Sequence, residues 1–153
     1  MELIAQLDGR RYFSQVVPLN KQDMVTFGQQ PFVLLLHIDQ KDFDRNSIHV
    51  LAEDTLASNA RYIVCAGNAA ELVHDIFDAV IEQQDWDAKR RETIMTTWLS
   101  DNAIEDVVFH LRHLAFAERS ELKTALLLFH NNLLAQQYAS CLVKSMPGSK
   151  GTR

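Results

Sequence analysis

The segment from Pro31 to Asp39 constrains the fold more than any other part of this sequence. It is a continuous apolar run that begins with a proline and ends in polar residues. A strand with one wet face would alternate apolar and polar residues, so this run predicts a strand that is covered on both faces. The run is also too short to form an independent helix.

The rest of the chain repeats this feature and alternates it with helical periodicity. Three further runs have strand length, and the third strand, which contains Thr96, Thr97 and Trp98, is expected to be less deeply buried. Apolar residues between the runs recur with a period of about 3.6. The four predicted core strands are about 32–38, 61–66, 94–99 and 123–129, and the four predicted helices are about 47–59, 69–84, 103–116 and 132–144.

This alternation predicts an α/β fold, a three-layer Rossmann-like or flavodoxin-like domain with a mainly parallel sheet. Small polar residues stand where the helices are expected to begin and are therefore candidate N-caps. These candidates are Ser47, Asn68, Asn102 and Asn131 or Asn132.

The first thirty residues and one connection fit this pattern less well. Asp8-Gly9 favours a hairpin between 3–7 and 11–17, because this dipeptide accepts the positive φ angles of a tight turn. A helix is the alternative for either limb of that hairpin. The segment 20–30 is expected to be a short helix or a loop, and 83–93 a connector or a helix extension.

Length and composition predict one domain with one short tail. A chain of 153 residues with 47% hydrophobic and 23% charged residues has the composition of an ordinary globular domain. We expect this domain to span 1–144. From Ser145 the sequence is rich in Pro, Gly, Ser, Lys and Thr, so 145–153 is expected to be a flexible tail.

Charge and hydropathy bear on partners and location. The formal net charge is −5, and clustered Lys and Arg are few, so no nucleic-acid partner is expected. No stretch approaches the length of a membrane span, and the start does not resemble a secretory signal, so we expect a cytoplasmic protein without a membrane partner. In that compartment Cys65 and Cys141 are expected to be buried thiols.

Ligands of open parallel sheets bind at the carboxyl ends of the strands, and this rule selects the candidate site. A base, a nucleophile and charge-stabilising groups could all come from the residues there. The catalytic candidates are His37, Asp39, Cys65, Asp101 and His130, and Gly67, Asn68 and Asn131 lie beside them. The alternative is structural: the amides cap helices, the aspartates bind turn backbone, and Cys65 is a small core residue.

Motifs for known cofactors are missing from the sequence. Cys65 precedes a helix start as a nucleophile would, but Ile63 stands where a nucleophile elbow has its first glycine. Gly67 has no partner glycine for a phosphate-binding loop. We therefore expect no cofactor.

One helix face carries the residue types of a metal site. Asp106, His110 and His113 follow one another at helical spacings of four and three, and a divalent ion such as zinc accepts these ligands. The alternative is an ordinary polar face, because the spacing is only part of a known signature. No metal is the preferred prediction.

These observations favour a small non-enzymatic regulatory or protein-interaction domain. The partner is either another protein or a second copy of the chain. A dimer is plausible because two-fold symmetric dimers are the commonest soluble oligomers. Trp86, Trp98 and Phe116 are the candidate interface residues. The alternative is a small-molecule enzyme, a hydrolase or transferase, with its site at the carboxyl ends of the strands.

Overall fold

A computed structural model describes residues 1–16 and 30–146 of the chain. Within these residues six strands form one sheet in the order β1-β2-β6-β3-β4-β5. The strands are β1 (Glu2–Leu7), β2 (Arg10–Val16), β3 (Phe32–His37), β4 (Ala60–Ala66), β5 (Met95–Leu99) and β6 (Thr124–Phe129). The helices are α1 (Arg45–Ala57), α2 (Ala70–Gln83), α3 (Trp86–Arg90), α4 (Ile104–His113) and α5 (Asn132–Lys144).

The predicted α/β class and the mainly parallel sheet are confirmed, but the sheet has six strands where four core strands were predicted. Strands β2, β3, β4, β5 and β6 all run in the same direction. Strand β1 alone runs in the opposite direction, and it pairs with β2. The strand order β5-β4-β3-β6 equals the first four positions of the Rossmann order 3-2-1-4-5-6, so the sheet is consistent with a Rossmann-like fold.

The predicted N-terminal hairpin is also confirmed, and a helix for either limb is wrong. Asp8 and Gly9 form the turn with φ angles of 55° and 81°. The second limb, β2, then pairs in parallel with β6 along its length. The hairpin therefore extends the main sheet by two strands.

Alternate side chains of the central strands enter two separate cores. Leu34, Leu36 and Ile63 pack toward α1 and α2 on one face of the sheet. Val33 and Leu35 pack toward α4 and α5 on the other face. This explains why β3 and β6 are continuous apolar runs, whereas β5, at the edge, is only partly buried as expected.

Several predicted boundaries and caps need correction. Helix α4 ends at His113 rather than at 116, because buried Arg10 binds the carbonyl oxygens of Leu111 and Ala115 where the helix stops. The connector at 83–93 contains the separate helix α3. Asp85 and Arg91, with φ angles of 57° and 55°, break the helical path on both sides of α3.

The helix caps differ from the sequence interpretation at three of four starts. Asp44, not Ser47, caps α1, and its carboxylate accepts the Ser47 N–H at 2.9 Å. Neither Asn102 nor Asn68 caps a helix: the cap positions of α4 and α2 are Ala103 and Ala69. Asn131 is confirmed, since its side chain accepts the Leu134 N–H at 2.8 Å.

A buried carboxylate fixes the end of the sheet opposite to the candidate site. Glu92 is 6% exposed, and it pairs with Arg61. It also accepts hydrogen bonds from the N–H of Arg119, from the N–H of Ser120 at 2.9 Å and from the Ser120 hydroxyl at 2.7 Å. Glu92 therefore ties the approach to β5 to the approach to β6.

Other predictions have mixed outcomes. Cys65 is buried as expected, whereas Cys141 is partly exposed, and both are free thiols. No helix in the described part of the chain is long and apolar enough to cross a bilayer. The segment predicted at 20–30 lies outside the described residues except Gln30, and the tail does so from residue 147.

Candidate functional site

The candidate site lies where β3 and β6 end side by side. The helix that follows β3 packs on one face of the sheet, and the helix that follows β6 packs on the other. Their connections diverge there, which makes this edge the topological switch point at which open α/β sheets bind ligands. His37 is the last residue of β3, and His130 directly follows β6.

The central contact of this site joins His37 to Tyr138 of α5. The Nδ1 atom of His37 lies 2.7 Å from the Tyr138 hydroxyl, and the two rings meet edge to face. Burial lowers the pKa of His37, although the charge of Asp39, 3.9 Å away, opposes this shift. Burial also raises the pKa of Tyr138. The pair is therefore uncharged at neutral pH.

The two loops beside this pair are bound to each other. The Asp39 carboxylate accepts the Asn68 N–H at 3.0 Å, and the Asn68 side-chain oxygen accepts the Gln40 N–H at 2.6 Å. Gly67 makes this approach possible: its φ is 87°, and a Cβ atom there would lie 2.4 Å from the carbonyl oxygen of Ile38. Asn68 thus joins two loops instead of capping α2.

The structure does not bring all the predicted site residues to this point. Cys65 points into the core beneath α1 and α2 and is fully buried. Burial, with a smaller effect from the charge of Asp78, raises the pKa of its thiol, which opposes formation of a reactive thiolate. Asp101 is exposed after β5, two strands and so roughly 10 Å from β3.

His130 and Asn131 complete the edge beside His37. The Nε2 atom of His130 is buried and has no hydrogen-bond partner among the described residues. Asn131 is occupied as the cap of α5. The edge therefore contains His37, Asp39, Asn68, His130 and Tyr138, and Tyr138 was not among the candidates from the sequence.

Concave surfaces occur elsewhere on the molecule. A groove of about 660 Å³ lies between α4 and α5, and Glu105, Cys141 and Lys144 are among the residues that line it. A second concavity of about 600 Å³ lies against β1, β2 and α5. Neither is lined by His37 or Asp39.

The three residues proposed as metal ligands have separate surroundings. Nε2 of His110 lies 2.9 Å from the Tyr62 hydroxyl, and burial lowers the pKa of His110. The ring of His113 packs on that of Phe109, and Asp106 is exposed. The described part of the chain contains no group of three or more His, Cys, Asp or Glu side chains that could hold a metal ion.

The candidate interface residues differ in exposure. Trp86 is partly buried against the core, with Lys89 and Arg90 over its ring. Trp98 is partly exposed on the edge strand β5. Phe116 is 60% exposed.

Phe116 is one of three large apolar residues that are exposed in α4 or just after it. Phe109 is 57% exposed on the helix, and Leu114, just after it, is 53% exposed. We call Phe109, Leu114 and Phe116, together with the polar residues Glu105, Asp106 and His113, the α4 surface. The sequence interpretation did not single out Phe109, which lies off the apolar face that Val107, Val108 and Leu111 form.

Fold and site together define the class: an α/β domain with a mainly parallel sheet, whose strand ends carry a cluster of hydrogen-bonded polar side chains. This chain belongs to the family described as Domain of unknown function (DUF7684), whose model matches residues 14–140. The match extends from β2 into α5 and so covers the candidate site. No curated protein matches the chain.

Proposed function

We propose that this protein is a non-enzymatic protein-interaction domain of Rossmann-like fold that binds its partner through the α4 surface. The observation that carries the proposal is the exposure of Phe109, Leu114 and Phe116 within eight sequence positions. Exposure of large apolar side chains to water is unfavourable, and aromatic residues are enriched in protein interfaces. Partner binding would remove them from water.

The state of the strand-end groups supports a non-enzymatic function. A general base needs a pKa near the working pH, and a nucleophile needs activation. Burial instead lowers the pKa of His37 and raises those of Tyr138 and Cys65. These groups contribute packing and hydrogen bonds, and the enzyme alternative has less support.

The proposal includes a cytoplasmic location. Two free thiols in Cys65 and Cys141 suit a reducing compartment. Fractionation of native cells, with measurement of the amount of this protein in each fraction, tests the proposed location separately.

Photo-crosslinking tests the proposed surface. A benzoylphenylalanine is placed at Phe109 in native cells, and the control carries it at Val50, which is 51% exposed on α1 beneath the opposite face of the sheet. We expect a discrete cross-linked species from position 109 and none from position 50. Equal yields at both positions, or no species at 109, would contradict the proposal.

A further inference from the structure

We infer that the edge strand β5 and the exposed side of α2 bind a basic segment of another protein, which adds to the sheet as an extended strand beside β5. This inference goes beyond the proposed function, because α2 packs on the opposite face of the sheet from α4. It rests on the open edge of β5, on the charge of α2 and on the apolar side chains that β5 exposes.

Strand β5 is an edge strand without the usual protection against pairing. Within the described residues β5 pairs only with β4, and the register is regular from Met95 to Leu99. An edge strand presents unpaired N–H and C=O groups, and proteins usually guard such an edge with charged residues, proline or a bulge. The sequence of β5, Met-Thr-Thr-Trp-Leu, has neither a charged residue nor a proline. Its backbone can therefore pair with an added strand.

The exposed side of α2 carries acidic residues and no Lys or Arg. Glu71, Asp75, Asp78 and Glu82 are all exposed, and their spacings of four, three and four place them along one side of the helix. The ion-pair contacts of Asp75 and Asp78 are with His74, which counts as neutral in the formal charge. These two side chains are 69% and 50% exposed, so their charge is available to a basic partner.

The α2 carboxylates lie directly beside β5. The Asp78 carboxylate accepts a hydrogen bond from the Thr96 hydroxyl at 2.6 Å, and the ring centroids of His74 and Trp98 are 4.4 Å apart. Thr96 and Trp98 lie on the same face of the sheet, because side chains two positions apart in a strand share a face. A strand added beside β5 directs every second side chain to this face. Lysine or arginine at those positions can pair with Asp75 and Asp78.

The exposed apolar residues of β5 define the other positions of the partner segment. Met95 and Trp98 are both exposed, and they lie on opposite faces of the strand. The Trp98 ring, on the α2 side, can also bind a cation through its π face. Met95, on the other side, favours an apolar neighbour. The segment that fits this edge is therefore one in which basic and apolar residues alternate.

A second copy of this chain fits the edge less well. Two β5 strands that pair antiparallel would place both α2 helices on the same side of the joined sheet, where their carboxylates repel each other. The chain as a whole also has a formal net charge of −5. The charges therefore favour a basic partner over self-association.

Fluorescence anisotropy of the full chain with labelled peptides tests the inference. The probe is a peptide of about eight residues in which lysine alternates with valine, and the control peptide has glutamate in place of lysine. We expect saturable binding of the lysine peptide and none of the glutamate peptide. Equal binding of both peptides, or no binding of the lysine peptide, would overturn the inference.

Charge variants test where the peptide binds. Asp75→Asn with Asp78→Asn should weaken binding about fivefold, the effect expected for two exposed ion pairs. The matched control, Glu2→Gln with Glu121→Gln, removes the same charge from exposed sites outside α2 and β5, and it should weaken binding by less than about twofold. Circular dichroism checks that both variants are folded. An equal loss of affinity in the two variants contradicts a site at α2.

Backbone methylation of the probe tests whether the peptide adds as a strand. Only every second N–H of an added strand points to β5. Two further probes carry N-methyl groups on the valines alone or on the lysines alone. One of them should lose binding and the other should keep it. Equal affinity of these two probes would mean that strand pairing plays no part, and the inference would fail.

Two results would assign the edge to a different occupant and so contradict the inference. A wild-type chain that dimerises in sedimentation velocity and dissociates when the lysine peptide is added would make a second copy the occupant. Peptide binding that appears only after Lys150 and Arg153 are replaced by glutamine would make the basic tail of the same chain the occupant.

Discussion

Replacing Arg10 by methionine should destabilise the domain more than any surface substitution. Arg10 is only 6% exposed, although it lies in an N-terminal hairpin strand. Its guanidinium donates to the carbonyl oxygens of Leu122 at 2.7 Å, Leu111 at 2.6 Å and Ala115 at 2.8 Å. It therefore joins β2 to the end of α4 and to the approach to β6.

The expected magnitude follows from these three bonds. A hydrogen bond with a charged partner contributes roughly 1.5–3 kcal/mol, but the three bonds share one group and will not add fully. Methionine fills part of the volume and also removes the cost of a buried charge, which offsets part of the loss. We expect the free energy of unfolding to fall by about 3–4 kcal/mol, out of the ~5–15 kcal/mol typical of a domain.

Urea denaturation followed by circular dichroism measures this change. Arg11→Met is the matched control, since Arg11 is exposed and its contact is the ring of Phe13, and it should cost less than about 0.5 kcal/mol. Arg10→Lys should fall between the two, because an ammonium cannot reach three divergent carbonyls. If Arg10→Met and Arg11→Met differ by less than about 1 kcal/mol, the anchoring role of Arg10 is refuted.

Three further predictions concern the loops and the titratable groups. Gly67→Ala should cost about 2–4 kcal/mol, because the new Cβ meets backbone at 2.4 Å, whereas Gly9→Ala, with open space around it, should cost only about 1 kcal/mol in the same urea assay. Burial alone would raise the pKa of Glu92, but hydrogen bonds from Ser120 and Arg119 and the charge of Arg61 lower it overall. The stabilisation that Glu92 provides is therefore present above the unfolded pKa of about 4.5 and is lost as the pH falls through the lower pKa of the folded state. Glu92→Gln should make the melting temperature depend less on pH between about pH 5 and 3. Burial lowers the pKa values of His37 and His110, so the unfolded chain binds more protons below about pH 6.5 and stability falls there. The variant His37→Gln with His110→Gln should lose less melting temperature between pH 7.5 and 5.5 than wild type, and an unchanged slope would contradict the assignment.

The candidate site was only partly predictable from the sequence. The strand-end rule identified His37, Asp39 and His130, because the end of an apolar run is visible in the sequence and parallel strands end at one edge. The same rule included Cys65, although the side chain at the next-to-last position of β4 points into the core. Because helices cover both faces of β4, a side chain inside this strand is buried whichever face it reaches.

Local patterns in the sequence were sufficient to predict the parallel core strands, the amphipathic helices and the Asp8-Gly9 hairpin, because periodicity and turn chemistry depend on neighbouring residues. Packing between distant elements pairs β2 with β6, brings Arg10 to the end of α4, and places Tyr138 against His37, which is 101 positions away. These outcomes depend on which elements pack together, and a pattern of local period contains no information about partners that are distant in the chain.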